Sequence, residues 1–328
     1  MKPPAGISPR PPWRSRLAWG AAVALLALPL LVSSPYYLSL LVMVFLWTTA
    51  ASAWNLLGGF TGQLSLGHAA YFGVGAYAVA LLGSRFGVSP WLGLLAGAAA
   101  AVPVALVIGG VCFRLRGPYF TLATIASTEV LRQVALNWRS FTNGAVGLSV
   151  PPLFVGVSRA PYYYATLALA ALTLLVSARL TTSKTGYWLQ AIREDEDTAQ
   201  SIGVDTARYK LLALAISAVF VALAGGIFAG YLSYIEPDIV LTVGLSIQIC
   251  VFAIIGGLGT VEGPVLGAFL LTIASELFRS SFKQAHLIIY GVLMIVVMLF
   301  MPDGLLGQYR RWRSRPATSP AGSKGVRA

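Results

Sequence analysis

Ten apolar segments, separated by short polar or Gly/Pro-rich breaks, run through almost the whole chain. A straight helix needs roughly 20 mostly apolar residues to cross the hydrocarbon layer of a membrane. The predicted spans are Leu17–Val32, Tyr37–Trp54, Gly67–Gly83, Trp91–Cys112, Tyr119–Trp138, Tyr162–Leu180, Leu211–Leu232, Val240–Ile255, Gly263–Ser280 and His286–Met301. Several are short, so we expect some to be broken or re-entrant helices that are lined by protein rather than lipid.

The composition leaves little room for a soluble domain. Of the 328 residues, 57% are hydrophobic and 10% are charged, whereas a soluble domain carries roughly 25% charged residues. The sequence therefore predicts an all-α, polytopic membrane protein of about ten transmembrane helices. We expect a transmembrane domain over residues 17–301 between two basic tails, 1–16 and 302–328. The first apolar segment is interpreted as a retained anchor, because no small-x-small cleavage site follows it.

The distribution of Lys and Arg indicates the orientation of the spans. If Met1 lies inside and ten spans alternate, 17 of the 23 Lys and Arg residues lie inside, five outside and Arg132 within a span. The inside residues are Lys2, Arg10, Arg14, Arg16, Arg114, Arg116, Arg179, Lys184, Arg193, Arg208, Lys210, Arg310, Arg311, Arg313, Arg315, Lys324 and Arg327. Basic residues accumulate on the cytoplasmic side of membrane proteins. This bias predicts that both termini are cytoplasmic.

The longest inside loop, residues 181–210, contains four consecutive acidic residues, from Glu194 to Asp197. Acidic side chains favour the beginning of a helix, where the macrodipole is positive. Gly203 is placed to end that helix, and Asp205 or Thr206 can cap the next one, which becomes the seventh span. The pattern predicts a short surface helix joined to a membrane helix. A solvated connecting loop is the alternative interpretation.

Several blocks, in their order and spacing, resemble the permeases of branched-chain amino-acid ABC importers of the LivM type. These blocks are Asn55–Gly73, Gly117–Thr124, Ala191–Glu196 and Ile255–Thr260. The segment Asp197–Gly203 also resembles the loop of importer permeases that contains Glu-Ala-Ala and then Gly, although Asp and Thr here replace Glu and the first Ala. The resemblance covers about residues 37–301. It departs at Thr142-Asn143-Gly144, where family members often have Thr-Gly-Gly; Asn tolerates the left-handed backbone better than most residues.

The resemblance implies a bacterial inner-membrane, multi-pass permease that forms half of a translocation pathway with a second homologous permease. It also implies two ABC ATP-binding subunits and a periplasmic substrate-binding protein as partners. The chain has no Gly-x-x-x-x-Gly-Lys-Ser/Thr motif, so ATP is expected on the partner subunits and no cofactor on this chain. The implied ATPase-coupling loop consists of Arg193, Glu194, Asp195, Glu196, Asp197, Thr198, Ala199, Gln200, Ser201, Ile202 and Gly203. Leucine, isoleucine and valine are the implied substrates, with urea or amides as an alternative.

Polar residues within the predicted spans are the candidates for the translocation pathway. They are Gln63, Ser65, His68, Thr121, Thr124 and Glu129. Exposed backbone groups beside broken helices can bind a zwitterion, but His68 is interpreted first as a structural residue. Glu129 and Arg132 are three residues apart and can pair on one helix face. Charged residues at membrane depth are functional hypotheses by default.

Smaller signals concern packing, metals and other classes of function. Gly pairs at four-residue spacing, among them Gly263/Gly267, predict close helix contacts, and Cys112 and Cys250 are interpreted as packing residues rather than a disulfide. His68 and His286 lack metal-ligand spacing, so no metal site is expected. An intramembrane enzyme would need a paired acid and base. No motif joins Glu129 to either histidine. A nucleotide-independent channel is a third possibility.

Overall fold

The computed structural model describes residues 24–29, 34–154, 156, 158–281, 291 and 304–306. Twelve helices and one two-stranded ribbon follow one another between Pro35 and Ser281. They are α1 (Pro35–Thr61), α2 (His68–Phe86), α3 (Pro90–Cys112), α4 (Pro118–Asn137), α5 (Arg139–Thr142), β1 (Leu148–Ser149), α6 (Ala160–Thr181), α7 (Lys184–Glu194), α8 (Glu196–Ser201), α9 (Thr206–Leu232), β2 (Tyr234–Ile235), α10 (Pro237–Val240), α11 (Val243–Gly257) and α12 (Gly263–Ser281). A single 3-10 turn, Gly144–Val146, precedes β1.

The helix boundaries follow from local backbone chemistry. Proline occupies the first turn of α1, α3, α4 and α6, where its missing N–H leaves no hydrogen bond unmade. Helices α1 and α2 end at Gly62 and Gly87, which take the left-handed conformation with φ of 73° and 62°. Glycine adopts that conformation without the penalty that a Cβ imposes.

Five of these segments are long and apolar enough to cross a membrane: α1, α3, α6, α9 and the α10–α11 segment Pro237–Gly257. The other helices of 19 or more residues are α2, α4 and α12. Eight predicted spans thus correspond to helices, and the protein is an all-α, polytopic membrane protein. The first predicted span overlaps a helical stretch at residues 24–29. The tenth, His286–Met301, lies outside the described residues apart from Gly291.

The described helices differ from the predicted segments in three places. Helix α1 runs seven residues beyond the predicted end at Trp54 to Thr61, because its Gly-rich end is buried in the bundle and tertiary packing outweighs the low helix propensity of glycine. Helix α9 begins at Thr206, so Lys210 belongs to its second turn rather than to the loop 181–210. That loop also forms two helices, α7 and α8, where the sequence predicted one.

The bundle has two distinct ends. The elbow end holds α7 and α8 (the elbow, residues 184–203), the start of α9, the loop 62–67 and the turn 258–260. The ribbon end holds the pair β1–β2, in which Leu148 lies opposite Ile235 and Ser149 opposite Tyr234. The beginning of α1 and the end of α12 meet at this second end, because Tyr36 donates a hydrogen bond to Glu276.

Helices α2 and α9 pack with backbone against backbone in the centre of the bundle. A Cβ added at Gly75 would lie 1.9 Å from the carbonyl oxygen of Ala222, and one added at Gly225 would lie 2.1 Å from that of Phe72. Small residues permit this close approach between membrane helices. Around the contact, the rings of Trp47, Phe72 and Phe228 pack together, with centroid distances from 5.4 to 6.1 Å.

The predicted packing roles of the glycine pair and the cysteines are confirmed. A Cβ at Gly267 would lie 1.9 Å from the carbonyl oxygen of Phe252 in α11, and Gly263 approaches the backbone of Gly257. Cys112 and Cys250 are free and buried. Helices α11 and α12 can therefore approach each other closely because these two positions have no side chain.

Candidate functional site

The elbow is built by capping side chains. Ser183 accepts a hydrogen bond from the N–H of Gly186 at the start of α7, and Asp195 accepts one from Thr198 at the start of α8. Gly203, with φ of 88°, follows α8, and Asp205 caps α9 by accepting from the N–H of Arg208. The predicted stop at Gly203 and the predicted cap at Asp205 are confirmed. The hydrogen bond from the Thr198 backbone lowers the pKa of Asp195 below its usual range.

Glu196 joins the elbow to two other elements. Its Oε1 lies 2.5 Å from the ammonium nitrogen of Lys210 and 3.3 Å from the hydroxyl oxygen of Thr206, both in α9. Its Oε2 accepts a hydrogen bond of 3.4 Å from the Gln63 amide in the loop 62–67. Lys210 has only 3% of its side chain exposed, and its ammonium also lies 5.2 Å from the centre of the Phe113 ring. A displacement of α8 therefore acts directly on α9 and on the loop before α2.

Arg193, at the end of α7, lies between two glycine turns. A Cβ added at Gly62 would lie 3.5 Å from its Cγ, and one added at Gly259 would lie 2.0 Å from its Nη1. Both turns therefore leave space that the arginine side chain fills. The elbow thus contacts the end of α1 through Gly62 and the segment after α11 through Gly259.

The turn at Gly259 is also joined to helix α1. Asn55 in α1 donates a hydrogen bond of 2.8 Å to the carbonyl oxygen of Thr260, and its Oδ1 accepts one of 3.0 Å from the N–H of Gly259. A Cβ at Gly59 would overlap the Asn55 side chain. The side chain of Asn55 therefore ties helix α1 to the turn that follows α11, close to Arg193.

The loop 62–67 is held against α4. Thr121 donates a hydrogen bond of 2.7 Å to the carbonyl oxygen of Leu64, and the Thr124 hydroxyl accepts one of 3.1 Å from the N–H of Leu66. Trp54 donates to the carbonyl oxygen of Ser65 at 2.7 Å. The structure thus brings four of the candidate pathway residues, Gln63, Ser65, Thr121 and Thr124, together around one non-helical loop at the elbow end.

His68 lies behind that loop and is fully buried. Its Nε2 is 3.0 Å from the hydroxyl oxygen of Ser217 in α9, and its ring packs edge-on against Tyr71. The N–H of the next residue, Ala69, donates to Ser246 in α11. These contacts place His68 at the junction of α2, α9 and α11.

Glu129 lies farther along α4, toward the ribbon end. Its carboxylate oxygens lie about 3.0 Å from the Arg132 guanidinium, as the spacing of the two residues predicted. Gln133 donates to Glu129 at 2.8 Å. Glu129, Gln133 and Asn137, together with Ala126, Val130 and Val134, line an open depression of about 540 Å³ on the outward side of α4. A long helix of this bundle therefore carries a polar stripe on an exposed face.

The ribbon end is joined to α4 by a contact that the sequence did not reveal. Arg132 forms an ion pair with Asp238 in α10, 106 residues along the chain. Asn143 takes the left-handed conformation, with φ of 65°, and its side-chain amide donates to the carbonyl oxygen of Gly147. The predicted tolerance of this turn for Asn in place of Gly is confirmed.

Sequence reasoning missed the partners of several site residues. The acids of the elbow were noted, but Lys210 was assigned to the loop, and the contacts of Arg193 and Asn55 with distant glycine turns were not predicted. The available signal was the similarity between Leu56–Phe60 and Ile254–Leu258. Gly59 in the first block lies close to Gly259, the residue that follows the second block, because a Cβ at Gly259 would be 3.0 Å from the carbonyl oxygen of Gly59.

The fold and the elbow together define a class: a multi-pass membrane protein in which one helical elbow contacts several membrane helices at their ends. The chain belongs to the family described as branched-chain amino acid transport system / permease component, whose model matches residues 36–298.

The chain is also similar to individual relatives. It is 30% identical over 284 residues to the high-affinity branched-chain amino acid transport system permease protein LivM of Salmonella typhimurium, and equally to that of Escherichia coli. These matches cover 78% of this chain and 66% of each LivM relative. The permease protein LivH of Escherichia coli is 26% identical over 284 residues, covering 79% of this chain and 90% of LivH. The chain is therefore similar in sequence to two kinds of permease protein, LivM and LivH.

Proposed function

We propose that this chain is the permease subunit of an ABC importer for branched-chain amino acids in the cytoplasmic membrane of a bacterium. Family membership and the names of the LivM and LivH relatives support this assignment. The proposed topology has ten spans with both termini in the cytoplasm, a transmembrane domain over residues 17–301 and basic tails at 1–16 and 302–328. The excess of Lys and Arg in the segments assigned to the inside supports this orientation.

The observation on which the proposal chiefly rests is the connection of the elbow to the bundle. Glu196 contacts α9 and Gln63, and Arg193 contacts the turns at Gly62 and Gly259. In this proposal, residues Arg193–Gly203 dock on an ATP-binding subunit, and their displacement moves α9 and the ends of α1 and α11 together. The proposal assigns ATP hydrolysis to the partner, and it assigns no catalytic residue, cofactor or metal to this chain.

The docking surface has an apolar centre. Ile202, which follows α8, is 68% exposed and lies next to exposed polar residues of the elbow. An isolated exposed apolar side chain is common on protein surfaces, but here it lies on the part of the protein assigned to a partner. An apolar anchor with a polar rim is the usual arrangement of a protein interface.

The polar stripe on α4 supports the position of the translocation pathway. Glu129, Gln133 and Asn137 would be unfavourable against lipid, so this face is assigned to the boundary with the second, homologous permease. The pathway would then pass Glu129 on α4 and continue to Gln63, Ser65, Thr121 and Thr124 at the elbow end, with His68 supporting the loop from behind. A periplasmic binding protein would deliver the substrate.

Transport in the complete assembly tests the function. The chain is co-expressed with the second permease, the ATP-binding subunits and the binding protein of its source organism in a strain that lacks its own importers. Uptake of labelled leucine is expected, with no competition by urea. Saturable uptake of urea instead of leucine would contradict the substrate assignment, and uptake without nucleotide would indicate a channel.

Substitution of Ile202 tests the coupling assignment separately. Ile202→Asp is expected to abolish leucine-stimulated ATP hydrolysis and uptake, because a charge at the centre of an apolar contact is desolvated without a partner. Ile202→Leu, which keeps an apolar side chain of the same size, is expected to retain both. Equal activity of the two variants would exclude Ile202 from the docking surface.

A further inference from the structure

A cavity of about 370 Å³ lies at the ribbon end, between α1, α11, α12 and the end of α9. It shares no lining residue with the polar stripe of α4. Its lining extends from Tyr36 to Trp47 along α1, which corresponds to roughly 16 Å of helix. Cavities of about 300–1,000 Å³ are the usual size of small-molecule sites.

One side of this cavity carries both a negative and a positive group. Arg279 lies 2.9 Å from Glu276, and Tyr36 donates a hydrogen bond of 2.8 Å to the same carboxylate. Glu276 has 20% of its side chain exposed, whereas Arg279 has 65% exposed and its guanidinium retains N–H groups for a further acceptor. The adjacent charges can receive a molecule that carries an anion and a cation on neighbouring atoms.

The deeper wall of the cavity is mainly aromatic and aliphatic. Met43, Trp47 and Phe252 line it, and the rings of Trp47 and Phe252 meet edge-on with centroids 6.2 Å apart. Thr272 also lines the cavity, and its buried hydroxyl has no hydrogen-bond partner in the described part of the chain. A ligand for this cavity therefore needs an apolar portion as well as its charges.

We propose that this cavity binds an apolar α-amino acid as a zwitterion. Arg279 binds the carboxylate, Glu276 binds the ammonium group, and the side chain lies against Met43, Trp47 and Phe252. The assignment of the substrate class rests on the proposed function, and it adds to that function a second amino-acid site, outside the polar stripe on α4. Because the site lies at the ribbon end, it would be filled from the side opposite the elbow.

Equilibrium binding of labelled leucine to the purified full-length chain in phosphatidylcholine nanodiscs, without nucleotide or partner subunits, tests the proposal. Arg279→Gln and Glu276→Gln are each expected to weaken binding at least tenfold, because each removes one charge-assisted contact. Leucinamide and N-acetyl-leucine, which each lack one of the two charges, are expected not to compete. Arg85→Gln removes a cation at the end of α2 that lies over Phe141 rather than in the cavity, and it is expected to leave binding unchanged.

A variant that leaves both charges in place distinguishes loss of leucine binding from loss of folding. Ser39→Phe fills the cavity from α1 without removing the contact of Glu276 with Arg279, and it is expected to abolish binding while the thermal midpoint stays close to that of the parent. Absence of leucine binding in the parent, unchanged binding in Arg279→Gln, or a co-purified zwitterionic lipid that leucine cannot displace would each overturn the proposal. If leucine uptake by the full assembly persists in any of these cases, the second site is wrong and the transport assignment stands.

Discussion

Lys210 places an ammonium group inside the protein at the point where the elbow meets α9. Its side chain is 3% exposed, whereas Glu196, its partner, is 24% exposed. The two residues are therefore unequal: Glu196 can be solvated when it loses its partner, and Lys210 cannot. A buried charge without a partner destabilises a protein much more than a hydrogen-bonded pair stabilises it.

The first prediction follows from this inequality. Glu196→Gln is expected to lower the free energy of unfolding by about 3–5 kcal/mol, because it leaves the Lys210 ammonium buried without a countercharge. Lys210→Met is expected to cost less, since Glu196 still contacts Thr206, Gln63 and solvent. Circular dichroism monitors unfolding of the parent and the two variants in detergent solution. The loss of unfolding free energy in each variant is obtained from these curves. The reverse order of stabilities would contradict the burial of Lys210.

Local sequence spacing predicted some of these contacts and not others. The pairing of Glu129 with Arg132 follows from their positions one helical turn apart. The contacts of Arg132 with Asp238, of Glu196 with Gln63 and of Asn55 with Thr260 each join residues more than 100 positions apart. No periodic pattern encodes such contacts, because they depend on how whole helices pack.

At the scale of elements, a capping side chain marks the start of each elbow helix, Ser183 for α7 and Asp195 for α8. Asp195 accepts the Thr198 N–H more strongly when its carboxylate is ionised, and this difference lowers its pKa below the usual value. The stabilisation of α8 is therefore complete above the unfolded-state pKa near 4. It is lost as the pH falls through the lower folded-state pKa.

The second prediction concerns this cap. Asp195→Ala is expected to speed hydrogen exchange of the α8 amides at neutral pH, while Asp195→Asn, which still accepts the hydrogen bond, is expected to protect them. On acidification below about pH 4, protection is expected to fall in the parent and to stay constant in the Asn variant. Mass spectrometry of peptides covering residues 190–205 measures hydrogen exchange in the parent and both variants. Equal exchange rates in the Ala and Asn variants would argue against the cap.

The third prediction tests the central helix contact. Gly75→Ala is expected to lower the free energy of unfolding by about 1–3 kcal/mol, because the added methyl group meets the backbone of Ala222 and α2 must move away from α9. Gly110→Ala in α3 is the matched control, since no atom lies within 4 Å of the added Cβ. It is expected to be neutral or stabilising by about 0.5–1 kcal/mol. Chemical unfolding of both variants and the parent measures these changes in unfolding free energy. Equal stability of the two variants would contradict the close approach of α2 to α9.

The sequence predicted the helices well where a long run of apolar residues is enough to indicate a membrane span. Apolar residues on all sides of a helix indicate a buried or lipid-facing span, and eight predicted spans correspond to helices in the described chain. The end of α1 was not predicted, because Gly58 and Gly59 would normally interrupt a helix. They remain helical because Trp54 covers Gly58 and Asn55 covers Gly59.

At the scale of the whole molecule, the two ends of the bundle differ in chemistry. The elbow end is tied together by Glu196, Arg193 and Asn55, so that one surface segment contacts α1, α9 and the turn after α11. The ribbon end is closed by β1–β2 and by the contact of Arg132 with Asp238. Such an arrangement lets a force at one end reach several helices at once.

The last prediction concerns the orientation of these two ends in the membrane. Single cysteines replace Asp197 in the elbow and Ser158 near the ribbon end, both exposed, in the native background in which Cys112 and Cys250 are buried. A membrane-impermeant maleimide added to intact spheroplasts is expected to label Ser158→Cys at once and Asp197→Cys only after permeabilisation, because basic segments remain cytoplasmic.

Lys324→Cys tests the C-terminal tail in the same way and is expected to behave like Asp197→Cys. The parent chain controls for labelling of the native thiols. If Asp197→Cys is labelled in intact cells while Lys324→Cys is not, the elbow and the C-terminal tail lie on opposite sides of the membrane, and a cytoplasmic docking site in the elbow is excluded.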